Sequence, residues 1–176
     1  VENKVKNNIL QICYISNISR EKGIFDLIKA VQNRADVKLI IAGNFLSEKE
    51  VFLELVEQCE NISYVGFAGE EVKQEIFESS DIFCLPSKLE EGAPISIIEA
   101  MSYGLPIISS DKGCIPDMIE GLGCILPQTF NSNDIINCIE FIKSNYDILS
   151  VNAVKKYQES YSQEKFIENL ENILKG

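Results

Sequence analysis

The sequence predicts an α/β fold: a Rossmann-like, doubly wound, six-stranded parallel sheet. Two observations predict it. Apolar runs of strand length alternate with stretches of helical period through most of the chain, as repeated βα units require. Those runs are also apolar throughout, the pattern of strands covered by helices on both faces. No internal repeat, low-complexity tract or Gly/Ser-rich linker interrupts the alternation, so the 176 residues read as a single domain.

The strands are expected at Ile9–Ser16, Val37–Ala42, Ile62–Gly66, Ile82–Leu85, Pro106–Ser109 and Cys124–Leu126. Between them the period changes. Phe25, Ile28 and Val31 recur at helical spacing after Gly23, and Ser47 with Glu50 spells a capping box ahead of Val51-Phe52-Leu53. Val72, Ile76 and Phe77 mark a third helix, and a fourth runs from Ile95 to about Tyr103. Gly69-Glu70-Glu71 reads as a helix start whose carboxylates suit the positive end of the dipole. Beyond the sixth strand, three helices are expected, at Ile135–Ile142, Ile148–Tyr157 and Gln163–Leu174. Phe25, Phe52, Phe77 and Phe141 fall on the apolar faces and are assigned to the core, and Tyr103 is expected to pack.

Composition narrows the function. The 45% hydrophobic content is ordinary for a globular protein, and no run reaches the roughly 18 apolar residues of a membrane span. Val1–Lys6 is too polar for a signal peptide, so the chain is expected to be cytoplasmic; a first residue other than methionine reads as a piece of a longer polypeptide. A formal net charge of -11 disfavours nucleic acid as a partner, because such binding rests on Lys and Arg neutralising phosphates. The 6 cysteines, with no C-x-x-C pair and 0 histidines, do not spell a zinc site and are read as free thiols, buried most clearly at Cys13 and Cys84. There is no D-x-D pair to hold a metal-bridged diphosphate and no G-x-G-x-x-G after the first strand, so neither a metal nor a dinucleotide cofactor is expected.

In a doubly wound sheet ligands bind outside the carboxyl ends of the strands, so chemistry belongs in the βα loops. The loop after the fourth strand, Pro86 to Pro94, leads into the fourth helix with Pro94 suited to its first position. Free amides of Ile95, Ser96 and Ala93 beside the positive end of that helix would favour a diphosphate, and Gly92 permits close backbone approach. Glu99 falls one turn further along the same face, where a carboxylate would accept from ribose hydroxyls. Glu91 is expected at the loop tip. A solvated loop glutamate and an ordinary helix glutamate would leave the same trace in the sequence.

The order of residues here resembles the E-x7-E region of the family-four glycosyltransferases: Pro86-Ser87, Glu91 through Glu99-Ala100-Met101, then Gly104-Leu105-Pro106-Ile107-Ile108. The resemblance extends to Gly23, Ala42-Gly43, Val65-Gly66-Phe67 and Asp81-Ile82, hence over most of residues 8 to 142, and to the helical tail. It implies one half of a GT-B fold: the C-terminal, donor-binding domain of a retaining transferase. A separate N-terminal domain, absent from this chain, would bind a polysaccharide or glycolipid acceptor, and any peripheral membrane attachment would depend on that half. Carried over by position, Glu91 lies near the donor sugar and Gly92, Ala93, Pro94 and Ile95 wrap sugar and phosphates. Glu99 holds the ribose, and Phe67 and Ala68 meet the base. The donor, a nucleotide-diphosphate sugar, is substrate rather than cofactor.

The first βα loop, Ser16 to Gly23, resembles the family's Gly-Arg-x4-Lys-Gly phosphate clamp, with Lys22 as the clamp lysine. Lys22 and Glu91 are therefore the residues assigned to catalysis, Glu91 as the carboxylate nearest the sugar without a nucleophile's role. The pattern is broken at Ser16, in place of glycine, and at Asn17, in place of an arginine whose bidentate cation an amide does not match. Arg20 could offset that loss or be a solvated surface residue. Pro94 also replaces a frequent glycine. Asp111 and Asp117 are assigned structural roles. Two further readings stay open: a nucleotide-sugar-binding module without catalysis, and a nucleotide-sugar epimerase of the same architecture.

Overall fold

The computed structural model describes residues 9–175, so the polar Val1–Lys6 segment lies outside the described residues. Six strands form one sheet: β1 (Leu10–Ile15), β2 (Val37–Ala42), β3 (Ile62–Tyr64), β4 (Ile82–Leu85), β5 (Ile107–Ser110) and β6 (Gly123–Leu126). All pairs described are parallel and the order is β3-β2-β1-β4-β5-β6. The predicted Rossmann-like sheet is therefore the observed one. Connections run outward in both directions from the β1/β4 pair, which places a topological switch between the loops that follow those two strands.

The helices are α1 (Ile24–Val31), α2 (Lys49–Glu57), α3 (Glu70–Ser79), α4 (Ile95–Ser102), α5 (Ile115–Ile119), α6 (Ser132–Ser160) and α7 (Gln163–Lys175). Every residue of β4 and β5 is buried, which explains why those runs carry no polar alternation beyond Ser109 and Ser110. The two serines are satisfied locally: Ser109 Oγ donates to the Leu85 carbonyl at 2.6 Å, and Ser110 Oγ donates to that of Ser87. Tyr103, as expected, packs, stacking on Phe77 at 5.2 Å between centroids.

Several local expectations fail for identifiable reasons. The Ser47/Glu50 capping box does not form, because the N-cap of α2 is Glu48 rather than Ser47 and no side chain bonds there. α2 then starts after Glu48, whose φ of 59° is left-handed and whose carboxylate turns to Arg20. The two helices expected at residues 135–142 and 148–157 are, by contrast, both present, as the two arms of α6 on either side of a kink at Asn145 (φ -127°, ψ 16°); the start of α6 carries a capping box between Asn131 and Asp134. Phe141 is 48% exposed rather than core, since α6 turns that side away from the sheet.

The cysteine reading also needs correction. Cys124 on β6 and Cys138 on α6 form a disulfide, their Cα atoms brought to 5.5 Å where α6 packs on β6. Cys13, Cys59 and Cys84 are free and buried, and Cys114 is free and exposed. Burial pushes the Cys13 thiol up to about 12, so it stays protonated and inert.

Candidate functional site

A cleft of about 690 Å³ opens at the carboxyl ends of β1, β2 and β3. Its floor is the meeting of two loops. Gly43, with φ of 150°, sits so close to the chain after β1 that a Cβ there would lie 1.8 Å from the Ser16 carbonyl oxygen. Ser16 and Asn17 therefore share the floor with Gly43 and Asn44. The Tyr14 hydroxyl, buried beneath, donates to the Asn17 carbonyl at 2.7 Å and fixes the backbone of that loop.

One wall is the chain entering α3. Phe67 is 71% exposed, and Ala68, Gly69, Glu70 and Lys73 continue the lining. The opposite wall is α4, through Ile95 and Glu99. Pro94 stands one residue outside the helix rather than inside it: it is the N-cap, and its carbonyl accepts from the amides of Ile97 at 3.0 Å and Ile98 at 3.4 Å. Ile95 and Ser96 are then the first helical residues, whose N–H groups have no carbonyl one turn earlier to bond. The positive end of the α4 dipole thus meets the cleft at Ile95.

Of the residues chosen from sequence, Asn17, Phe67, Ala68, Ile95 and Glu99 line this cleft. Lys22, Glu91, Gly92, Ala93 and Pro94 do not line it; they occupy the loops after β1 and β4 at the switch point. There Lys22 Nζ lies 2.6 Å from Glu91 Oε1, with side chains only 17% and 13% exposed. Glu91 is therefore not an outlying loop tip. Its carboxylate folds inward, accepting from Ser87 Oγ at 2.5 Å as well, and Ser87 itself is fully buried. Gly113 clamps the turn from behind: at φ of 57° a Cβ would lie 1.9 Å from the Glu91 carbonyl oxygen, which accepts from the Cys114 amide at 3.0 Å. Around Gly92 a Cβ would meet nothing within 4 Å, so that side of the loop is open.

Arg20 does not stand in for the missing arginine. Its guanidinium pairs with Glu48 and lies 4.6 Å over the Phe25 ring, outside the cleft lining. Asp111 and Asp117 are absent from the lining too. The cation that does line the cleft is Lys73, which the sequence did not mark as a site residue. Lys73 Nζ reaches Glu99 Oε1 at 2.5 Å and Glu70 Oε1 at 2.9 Å, with its side chain 18% exposed. The Glu99 carboxylate holds the Lys73 ammonium above its ordinary range. The only advance signal was its place four residues after Gly69, which puts it on the first turn of α3.

This arrangement puts the start of α4 and two carboxylates at the carboxyl ends of a Rossmann-like sheet, and comparison with known proteins assigns the chain to a family. The family model described as "Glycosyl transferases group 1" matches residues 2–169. The chain belongs to the group 1 glycosyl transferases. The Escherichia coli O-antigen biosynthesis glycosyltransferase WclY is 24% identical over 161 residues, covering 90% of this chain and 44% of that protein. Anabaena HepE, solved in complex with UDP and glucose, superposes with a TM-score of 0.81 at 20% identity, over 96% of this chain and 48% of HepE. The C-terminal domain of the group 1 glycosyl transferase LpcC from Francisella tularensis superposes at 0.73 and 19% identity, covering 88% of this chain and 87% of that domain. The chain thus spans about half the length of full-size relatives such as WclY and HepE. Its fold is that of a C-terminal GT-B domain. Among the described residues no helix is long and apolar enough to cross a membrane.

Proposed function

We propose that this chain is the donor-binding half of a retaining glycosyltransferase that transfers a sugar from a nucleotide diphosphate to a polysaccharide or glycolipid acceptor held by an N-terminal domain. One observation carries the reading: Phe67, Ala68, Ile95 and Glu99 face one cleft, whose α4 wall continues back into the Lys22–Glu91 loops. The base stacks at the exposed Phe67 and the ribose hydroxyls donate to Glu99. The diphosphate lies at the amino end of α4, where unpaired amides and the helix dipole stabilise negative charge. Nucleotide and polysaccharide chemistry among the relatives, UDP with glucose in HepE and O-antigen biosynthesis for WclY, supports this assignment.

Chemically, transfer with retention must stabilise a departing nucleoside diphosphate and an electron-poor sugar. Lys22 and the α4 amides act on the first, and they are preorganised before the donor arrives. Lys22 pairs with Glu91, which holds the ammonium and the carboxylate together at the junction of the two loops, where phosphate and sugar would meet. The binding-module reading draws support from Asn17, which offers an amide where the family pattern has a cation.

A thermal-shift panel of UDP, GDP, ADP and their sugars tests the site. At least one nucleotide should raise the melting temperature; no stabilisation by any of them near millimolar concentration defeats the reading. Assay of the longer protein with the stabilising donor separates a transferase from a binding module, since only the transferase releases nucleotide as it transfers or hydrolyses sugar.

A further inference from the structure

The Lys73–Glu99 pair joins two elements that the sequence gives no reason to connect. Lys73 stands on the first turn of α3, its amide bonded to the Gly69 carbonyl at 2.9 Å, and Glu99 stands on α4 across the cleft. Both side chains line that cleft. The ammonium holds Glu99 Oε1 at 2.5 Å, and no described residue donates to Oε2. An ordinary glutamate has three side-chain torsions to order before it can accept from a ligand. Here a charge-assisted bond has fixed one carboxylate oxygen, which leaves the other as a defined acceptor.

The other partner of Lys73, Glu70, lies one turn back on the same helix and is 91% exposed, so that pair adds little and Glu99, 27% exposed, is the partner that matters. Removing the lysine would release Glu99 to its full set of rotamers without touching the sheet or the aromatic core.

We infer that Lys73 is a positioning residue for ribose recognition, aiming Glu99 Oε2 at the ribose hydroxyls of the nucleotide. This rests on the donor-site reading above, and it adds a residue which the E-x7-E pattern does not contain.

The test measures dissociation constants for the nucleoside diphosphate, among UDP, GDP and ADP, that most stabilises the chain, and for its 2′,3′-dideoxy counterpart. The proteins are the parent, Lys73→Met, Lys73→Arg, Glu99→Ala and the Lys73→Met/Glu99→Ala double variant. For the ribonucleotide, Lys73→Met should weaken binding about fivefold to tenfold, the scale of one ordinary hydrogen bond, because Glu99 stays in place but is no longer aimed. Lys73→Arg should restore affinity to within about twofold, because a guanidinium also bonds a carboxylate. For the dideoxynucleotide, parent and Lys73→Met should bind alike, and in the Glu99→Ala background the Lys73 change should add nothing. An equal loss for both ligands would mean that Lys73 acts on phosphate or on the fold, and would overturn the inference, as would parent-like or tighter ribonucleotide binding by Lys73→Met. In those cases the parent still binds nucleotide and the donor site stands. If the parent binds no nucleotide at all, the donor-site reading fails and this inference fails with it.

Discussion

The two ends of the sheet carry similar charges put to different uses. At the carboxyl ends, Lys22–Glu91 and Lys73–Glu99 join loops and helices around the cleft, with carboxylate side chains 13% and 27% exposed. At the amino end of β2, Arg34 pairs with Asp36 and Glu140, and Lys143 reaches Asp36 as well, but there the carboxylates are 42% and 50% exposed. Half-solvated pairs of the second kind contribute little and tie α6 to the turn before β2. The pairs at the first end are largely removed from water, and Glu91 is held by the buried Ser87 as well. A buried ion pair is weak evidence of stability, and its position at the carboxyl ends argues for a ligand.

The largest expected effect comes from the floor that makes the first end possible. Gly43→Ala would drive a Cβ into the Ser16 carbonyl at a φ that side chains rarely adopt. We expect a loss of roughly 3 kcal/mol or more, about 6–12 °C in melting temperature for a domain of this size. Calorimetry checks it, and a melting temperature within 2 °C of the parent, by the same scale about 1 kcal/mol or less, would show that the two loops do not meet as described.

Next in size are the charged residues at the carboxyl ends of the sheet. Glu99→Ala should lower nucleotide affinity about tenfold or more, the worth of hydrogen bonds to a charged group, measured by titration calorimetry. Lys22→Ala should also weaken nucleotide binding, whereas Glu91→Ala should leave affinity for the bare nucleoside diphosphate within about twofold, one hydrogen bond being worth more than that. Its loss should fall on turnover of the sugar donor by the longer protein. Equal binding by Glu99→Ala and the parent would remove the distinction between the two ends of the sheet. Arg34→Ala, by contrast, should cost only about 1 kcal/mol and leave nucleotide affinity unchanged.

How much of this was legible in the sequence follows from where each signal is stored. The sheet was legible because β4 and β5 are buried on both faces and read as unbroken apolar runs. The α4 wall was legible because Pro94, Ile95 and Glu99 lie within six residues of one another and helical period relates them. Lys73 was not, since its meaning comes from a partner 26 residues away on another element. The same holds for Arg20, drawn off by Glu48 28 residues later, and for Cys124 with Cys138, which meet only because α6 packs back on β6. Glu91 was half legible: its place in the loop was read, but its inward turn depends on Ser87 and on Gly113 behind it.

The smallest effect belongs to the amino-end network and is a matter of pH. Its hydrogen bond from Arg34, with a further one from Lys143, holds the Asp36 carboxyl well below the usual carboxylate range, and Arg34 likewise lowers that of Glu140. A carboxyl whose folded value is depressed contributes stability that is fully present above its unfolded value, about 4. That contribution is lost as pH falls below this value toward the folded one. Melting curves of the parent and of Asp36→Asn should therefore differ slightly at pH 7 and converge as the solution is taken from pH 5 toward pH 2. The cleft pairs give the contrast: nucleotide affinity should be the same for Asp36→Asn and the parent at pH 7, because the network it breaks lies at the end of the sheet away from the ligand. A drop in affinity in Asp36→Asn would mean that the two ends are coupled through β2, and that the division drawn between them is wrong.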